Sequence, residues 1–256
     1  MKQLLTLAFI VGQLLSHASG TIHVFVPLCD NINQGIVKVP EKIGNGQDPA
    51  NNLYWGCGYG VKSFFAKAAD WQVVKKWTKP APNILERILF KHKASSTYML
   101  ADAYDGAHIK ECTVDFLNAS AGNFACDIKT DSGVVLKFGG AASMLGYTGH
   151  DGLMDFSLDE LPVKQNNNKR DVVILACYSR SYFTPAIRSA GANPLVWSTH
   201  LMSPEAYTLK AAIDGWLKAE TPEQIRTRAA QAYNQYQKCG EKAARNLLVT
   251  GFKEKK

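Results

Sequence analysis

The run DVVILAC at 171–177 constrains this chain more than any other segment. Five consecutive apolar residues, Val172 to Ala176, leave no alternation that would turn one face to water, so the run predicts a strand buried on both faces. Strands of that kind belong to parallel sheets covered by helices. Residues 22–28, IHVFVPL, have nearly the same character and predict a second such strand. Shorter β-rich runs at 84–90, 98–103, 143–148 and 194–199 predict further strands, and 105–117, 204–217 and 222–238 carry helical spacing. Residues 124–128 and 134–138 flank Thr130-Asp131-Ser132-Gly133 and predict a hairpin. Between the runs at 22–28 and 84–90, residues 53–74 set apolar and aromatic residues at helical spacing and predict a helix after the glycine-rich turn. The expected fold is α/β: a mostly parallel sheet with helices on both faces and a small β-hairpin, in one domain over 21–256.

The segment 1–20 places Lys2 before an apolar run and ends in small residues, the pattern of a secretory signal peptide. Its apolar run is shorter than the roughly 20 residues of a spanning helix, so the mature chain is expected in a periplasm or outside the cell, with no membrane span. The net charge of +7 is spread along the chain, with no basic stripe interleaved with aromatic residues, so no nucleic-acid partner is expected. The glycine-rich stretch lacks the Lys-Ser/Thr ending of a phosphate loop, and His23, His92 and His108 show no metal-ligand spacing. Neither a cofactor nor a metal is expected. Six cysteines in an oxidising compartment would ordinarily pair. If Cys177 is a free thiol, the most plausible bridge joins Cys112 and Cys126, which flank a turn-rich stretch.

Chemistry concentrates where two strands end. In an open parallel sheet, ligands bind beyond the carboxyl ends of the strands, because the loops converge there. His150 and Cys177 each lie just past such an end. Taken singly, a strand-end cysteine is usually packed and a histidine beside glycines is usually a loop residue. Together at neighbouring strand ends they can perform acyl transfer, the thiolate attacking a carbonyl and the imidazolium protonating the leaving amine. The imidazolium is also expected to lower the thiol pKa. His200 is an alternative base, since it too follows a strand.

The block LGYTGHDG at 145–152 and the block VVILACYS at 172–179 resemble the two signature blocks of the caspase-like cysteine peptidases, the clan of caspases, legumains, gingipains, separases and CHAT proteins. The run after Cys177, from Ala190-Gly191 through LVWSTHLMSPEAYTLKAAIDGWL, is similar to the bacterial CHAT pattern of turn, strand, loop and helix. This resemblance implies a caspase/hemoglobinase-like three-layer sandwich and an exported cysteine hydrolase, an endopeptidase acting on a peptide or protein substrate. Cys177 matches the nucleophile and His150 the catalytic histidine. The clan's oxyanion hole uses the backbone amides of the cysteine and of a glycine directly after the histidine. Here Asp151 intervenes, so the donors are Cys177 and either Asp151 or Gly152. The loop after the first strand often supplies the P1 pocket, which implies that Asp30 receives a basic side chain; Trp197 and Ser198 are placed to line the cleft. Read from the residues alone, Asp30 is a turn former and Trp197 a core residue. The alternative function is a catalytically inactive exported α/β module that binds a peptide or protein partner.

Overall fold

The computed structural model describes residues 20–252, so all of the expected signal segment but Gly20 lies outside the described residues. Ten strands form: β1 Thr21–Pro27, β2 Trp71–Ala81, β3 Ile84–His92, β4 Tyr98–Tyr104, β5 Ala125–Lys129, β6 Val135–Gly139, β7 Met144–Thr148, β8 Asp171–Leu175, β9 Asn193–Ser198 and β10 Leu248–Val249. The helices are α1 Val61–Lys67, α2 Ile109–Ala121, α3 Ser179–Ala190, α4 Ala206–Leu217, α5 Pro222–Gln237 and α6 Glu241–Leu247. Eight strands share one sheet in the order β10-β9-β8-β7-β1-β4-β3-β2, while β5 and β6 pair separately as the expected hairpin. The five strands from β9 to β4 run parallel; β2, β3 and β10 extend the sheet antiparallel at its two edges.

The continuous apolar runs are explained by what lies on either side of these strands. Val24, Val26, Val173 and Leu175 pack with Leu209 and Ile213 of α4 and Ile225 and Ala229 of α5. Their neighbours Phe25, Leu145, Tyr147, Val172 and Ile174 pack with Phe116 of α2 and Phe183 and Ile187 of α3. Each such side chain, fully buried, stabilises the fold by about 1.5–3 kcal/mol. With apolar partners on both sides, Val172 to Leu175 of β8 can all be apolar.

The helix expected over 53–74 is confined to Val61–Lys67, and Trp71–Ala81 is instead the edge strand β2. Its burial alternates from Trp71 to Thr78 as in a strand, but the bulge at Val74 adds an outward apolar residue, so the apolar positions 71, 73, 74 and 77 coincide with a helical spacing. Lys75, Lys76, Lys79 and Pro80 mark β2 as an edge that resists further pairing. The bridge expected between Cys112 and Cys126 is not formed: all six cysteines are free. Cys112 packs under α2 with Phe25 and Phe116, whereas Cys126 sits in a separate cluster with Leu89, Leu100 and Phe138.

One buried polar network ties the sheet to the hairpin. Arg87 donates to both oxygens of Asp102 at 2.6 Å, and His23 Nε2 lies 3.0 Å from Asp102 Oδ2. The Gly139 amide donates to His23 Nδ1, which fixes that nitrogen as an acceptor and Nε2 as the donor to Asp102. The guanidinium and the imidazole hold the Asp102 carboxyl below the ordinary carboxylate range against the opposing effect of burial. No helix among the described residues is long and apolar enough to cross a membrane.

Candidate active site

Strands β7 and β8 are adjacent, parallel and in register, with Thr148 opposite Leu175. His150 and Cys177 therefore each stand two residues beyond a matched pair. The chain from β1 leads away to β2 at the far edge, on the β4 side, and that from β7 to β8 on the other side, so the loops after β1 and β7 diverge at a topological switch point. A cleft of about 460 Å³ opens there. Residues 35–39 after β1, Leu53 and Tyr54, Gly149, His150 and Met154, Cys177, residues 201–205 after β9, and Gln237 line it. The nucleophile and the base expected from sequence thus face one cavity.

A sharp turn presents Cys177. Tyr178 adopts the left-handed conformation (φ 50°, ψ 25°), and α3 begins at the next residue. That conformation costs a non-glycine residue roughly 1–2 kcal/mol, and the turn is held by a set of hydrogen bonds. Ser198 Oγ donates to the Ala176 carbonyl at 2.5 Å and accepts from the Ser179 amide at 3.2 Å. Ser179 Oγ donates to the Ile174 carbonyl and accepts from the Ser198 amide, both at 2.9 Å. The Tyr178 amide donates to the His200 carbonyl. Ser198, expected in the substrate pocket, is fully buried and supports the nucleophile turn from behind.

His150 is 5% exposed, and its Nε2 lies 2.8 Å from Asp155 Oδ2. Asp155 also accepts from the Gly35 amide, and the Tyr147 hydroxyl donates to the His150 carbonyl. The ring is therefore oriented with Nδ1 left for proton exchange. Sequence reasoning missed Asp155; its signal was a carboxylate five residues after the histidine, at the C-terminal end of the short 3-10 turn Gly152–Met154 that Asp151 caps at its start.

The thiol environment differs from expectation. Burial pushes the Cys177 thiol up, the backbone contact with Met202 pulls it down, and the nearby Asp151 carboxyl pushes it up again. Cys177 Sγ lies 3.4 Å from the Met202 amide nitrogen and 3.6 Å from its carbonyl oxygen. Asp151 is fully buried, and burial pushes its carboxyl up to about 7. Its Oδ1 accepts from the Leu153 amide, whereas its Oδ2 has no partner.

Of the two amides considered for the oxyanion, that of Gly152 donates to the Tyr147 hydroxyl. Among the described residues the amides of Cys177 and Asp151 donate to no protein acceptor; Cys177 lines the cleft, whereas Asp151 is fully buried beside it.

Asp30 is not a pocket residue. It is 1% exposed, and its carboxylate accepts from the Ile32 and Asn33 amides and from the side chains of Asn33 and Gln47. A carboxylate satisfied by four donors, three from its own turn and one from Gln47, has no lone pair left for a basic side chain. Trp197, which the resemblance placed in the cleft, is instead the core residue its type suggests, fully buried against Phe252. His200 is exposed and bonds Thr199. No group of three or more His, Cys, Asp or Glu side chains among the described residues is arranged to hold a metal ion.

The site thus combines a strand-end thiol and an oriented imidazole at one largely apolar cleft. Comparisons with protein-family models, with curated proteins and with solved structures find no match to the chain.

Proposed function

We propose that the chain is an exported cysteine hydrolase of the caspase-like type, an endopeptidase whose sheet and flanking helices form the three-layer sandwich of that clan. The observation that carries this reading is the placement of Cys177 and His150 at matched positions past β8 and β7, facing one cleft, with Asp155 orienting the imidazole. Because burial keeps the thiol protonated, His150 acts first as a base. It takes the Cys177 proton as Sγ bonds to the scissile carbonyl carbon, while the Cys177 amide holds the oxyanion. The C–N bond then breaks, and the same proton passes to the leaving amine. Water, deprotonated by His150, hydrolyses the thioester and restores the thiol.

The burial of Cys177 also favours a second reading, in which the cleft binds a peptide or protein without turnover. One experiment separates the two: iodoacetamide labelling at pH 7 with mapping of the modified cysteine, the exposed Cys239 serving as internal reference. General-base assistance predicts that His150→Ala slows Cys177 labelling by at least ~10-fold relative to Cys239. Equal labelling rates with and without the imidazole would remove the mechanism and leave the binding module.

A further inference from the structure

The walls of the cleft carry an apolar surface that the folded chain leaves uncovered. Val37 is 87% exposed, Leu201 62% and Met154 39%, and all three line the cavity that holds Cys177 and His150. Ile36, Val39 and Leu53 continue the surface inward, where they pack against the core. Large aliphatic side chains grouped at the mouth of one cleft, on loops after three different strands, are unlike the scattered exposed residues of an ordinary surface.

Position relative to the sulfur decides which part of a substrate meets this surface. Cys177 Sγ rests against the backbone of Met202, and Leu201 precedes it. The carbon attacked by Sγ is bonded to the Cα of its own residue, so the side chain of that residue is the first part of a substrate to reach Leu201 and Met202. The charges around the cleft offer no competing selection. Lys38 and Glu205 oppose one another in sign, and Glu205 already accepts from the Tyr207 hydroxyl and the Gln237 side chain. Asp30, the residue that would have selected a basic group, is satisfied by its own turn and by Gln47.

We propose that the apolar wall formed by Val37, Met154, Leu201 and Met202 selects peptides in which a large aliphatic or aromatic residue supplies the scissile carbonyl. This rests on the reading of Cys177 as the nucleophile. Removal of such a side chain from water favours it over a charged one: one methylene in an apolar pocket is already worth roughly 10- to 200-fold, and burying an unpaired charge there costs at least as much.

The test uses peptidyl acyloxymethyl ketones that differ only at the residue bearing the ketone: Leu, Phe, Asp or Arg. In these probes Sγ bonds to the methylene carbon and a carboxylate leaves. Labelling of Cys177 is followed by mass spectrometry in the full chain. The expected result is that the Leu and Phe probes label at least ~10-fold faster than the Asp and Arg probes, and that Leu201→Asp reduces the Leu-over-Asp ratio by a similar factor. Faster labelling by the Asp or Arg probe, or a ratio that Leu201→Asp leaves unchanged, overturns the selectivity while Cys177 stands as nucleophile. If no ketone labels Cys177 and His150→Ala leaves its iodoacetamide rate unaltered, the underlying reading fails and the selectivity with it.

Discussion

Removal of the Asp102 carboxylate will test whether the buried His23-Asp102-Arg87 network holds the sheet and the β5–β6 hairpin together. Asp102 is fully buried and Arg87 is nearly so, with two guanidinium contacts of 2.6 Å and one imidazole contact of 3.0 Å. In Asp102→Ala, the guanidinium loses its only counterion within bonding distance among the described residues and His23 Nε2 loses its acceptor. Truncating one partner of a buried pair costs about 3–5 kcal/mol, because the other charge is left without compensation. For a domain of this size each kcal/mol lowers Tm by roughly 2–4 °C, so the variant should melt about 6–20 °C lower. Differential scanning calorimetry at pH 7 measures this directly. The reasoning also requires that Arg87→Met in the Asp102→Leu background recover much of the loss, since no charge then remains buried. A fall in Tm of less than about 3 °C in Asp102→Ala would refute the account. The sign with pH is fixed as well. The carboxyl is held below its unfolded value, so its stabilisation is complete above about pH 4 and disappears as pH falls through the lower folded value. The gap between the two proteins should therefore close only in acid.

Asp151 shifts the other way: burial raises its carboxyl to about 7, so the folded state binds a proton that the unfolded state has already lost, and stability falls as pH rises from about 4 to 7. Asp151→Asn should consequently raise Tm more at pH 8 than at pH 4, and equal gains would contradict this. The same substitution removes a carboxyl that opposes the thiolate, so the pH profile of Cys177 alkylation should move to lower pH; an unmoved profile would show that the two groups do not interact. Ser198→Ala deletes the donor to the Ala176 carbonyl and the acceptor for the Ser179 amide, and should lower stability by about 1–3 kcal/mol in urea titration. Asp155→Asn keeps the shape but removes the charge that steadies a protonated His150, so turnover of a cleaved peptide should fall at least ~10-fold with little change in Tm. Undiminished turnover would exclude Asp155 as the orienting group.

Legibility in the sequence followed the number of faces a segment buries. β1, β7, β8 and β9 lie inside the sheet between apolar clusters, and their composition alone marked them as strands. β2 buries little and carries a bulge, so Trp71, Val73, Val74 and Trp77 could be taken for a helical face. Helix α3 escaped notice because Pro185 lies inside it and its apolar residues are few, although Phe183, Ala186, Ile187 and Ala190 share its buried face. In the site, His150 and Cys177 were visible because strand ends can be located in a sequence. Asp30 was misassigned and Asp155 overlooked for one reason: whether a carboxylate is consumed by its own turn or reaches a neighbouring loop depends on which backbone amides the fold turns toward it. Here Asp30 takes up two such amides nearby, and Asp155 one from a segment 120 positions away.

The in-register pairing of β7 and β8 separates two properties of the cleft that could otherwise vary together. Neighbouring strands stand about 4.8 Å apart, a spacing set by backbone hydrogen bonds. His150 and Cys177 start from that fixed interval, each two residues past it. Val37 and Leu201 belong instead to loops beyond β1 and β9, whose length and composition can drift without disturbing the ladder. A lineage of such chains could therefore exchange one substrate preference for another by rewriting loops alone, the reacting pair being inherited with the sheet.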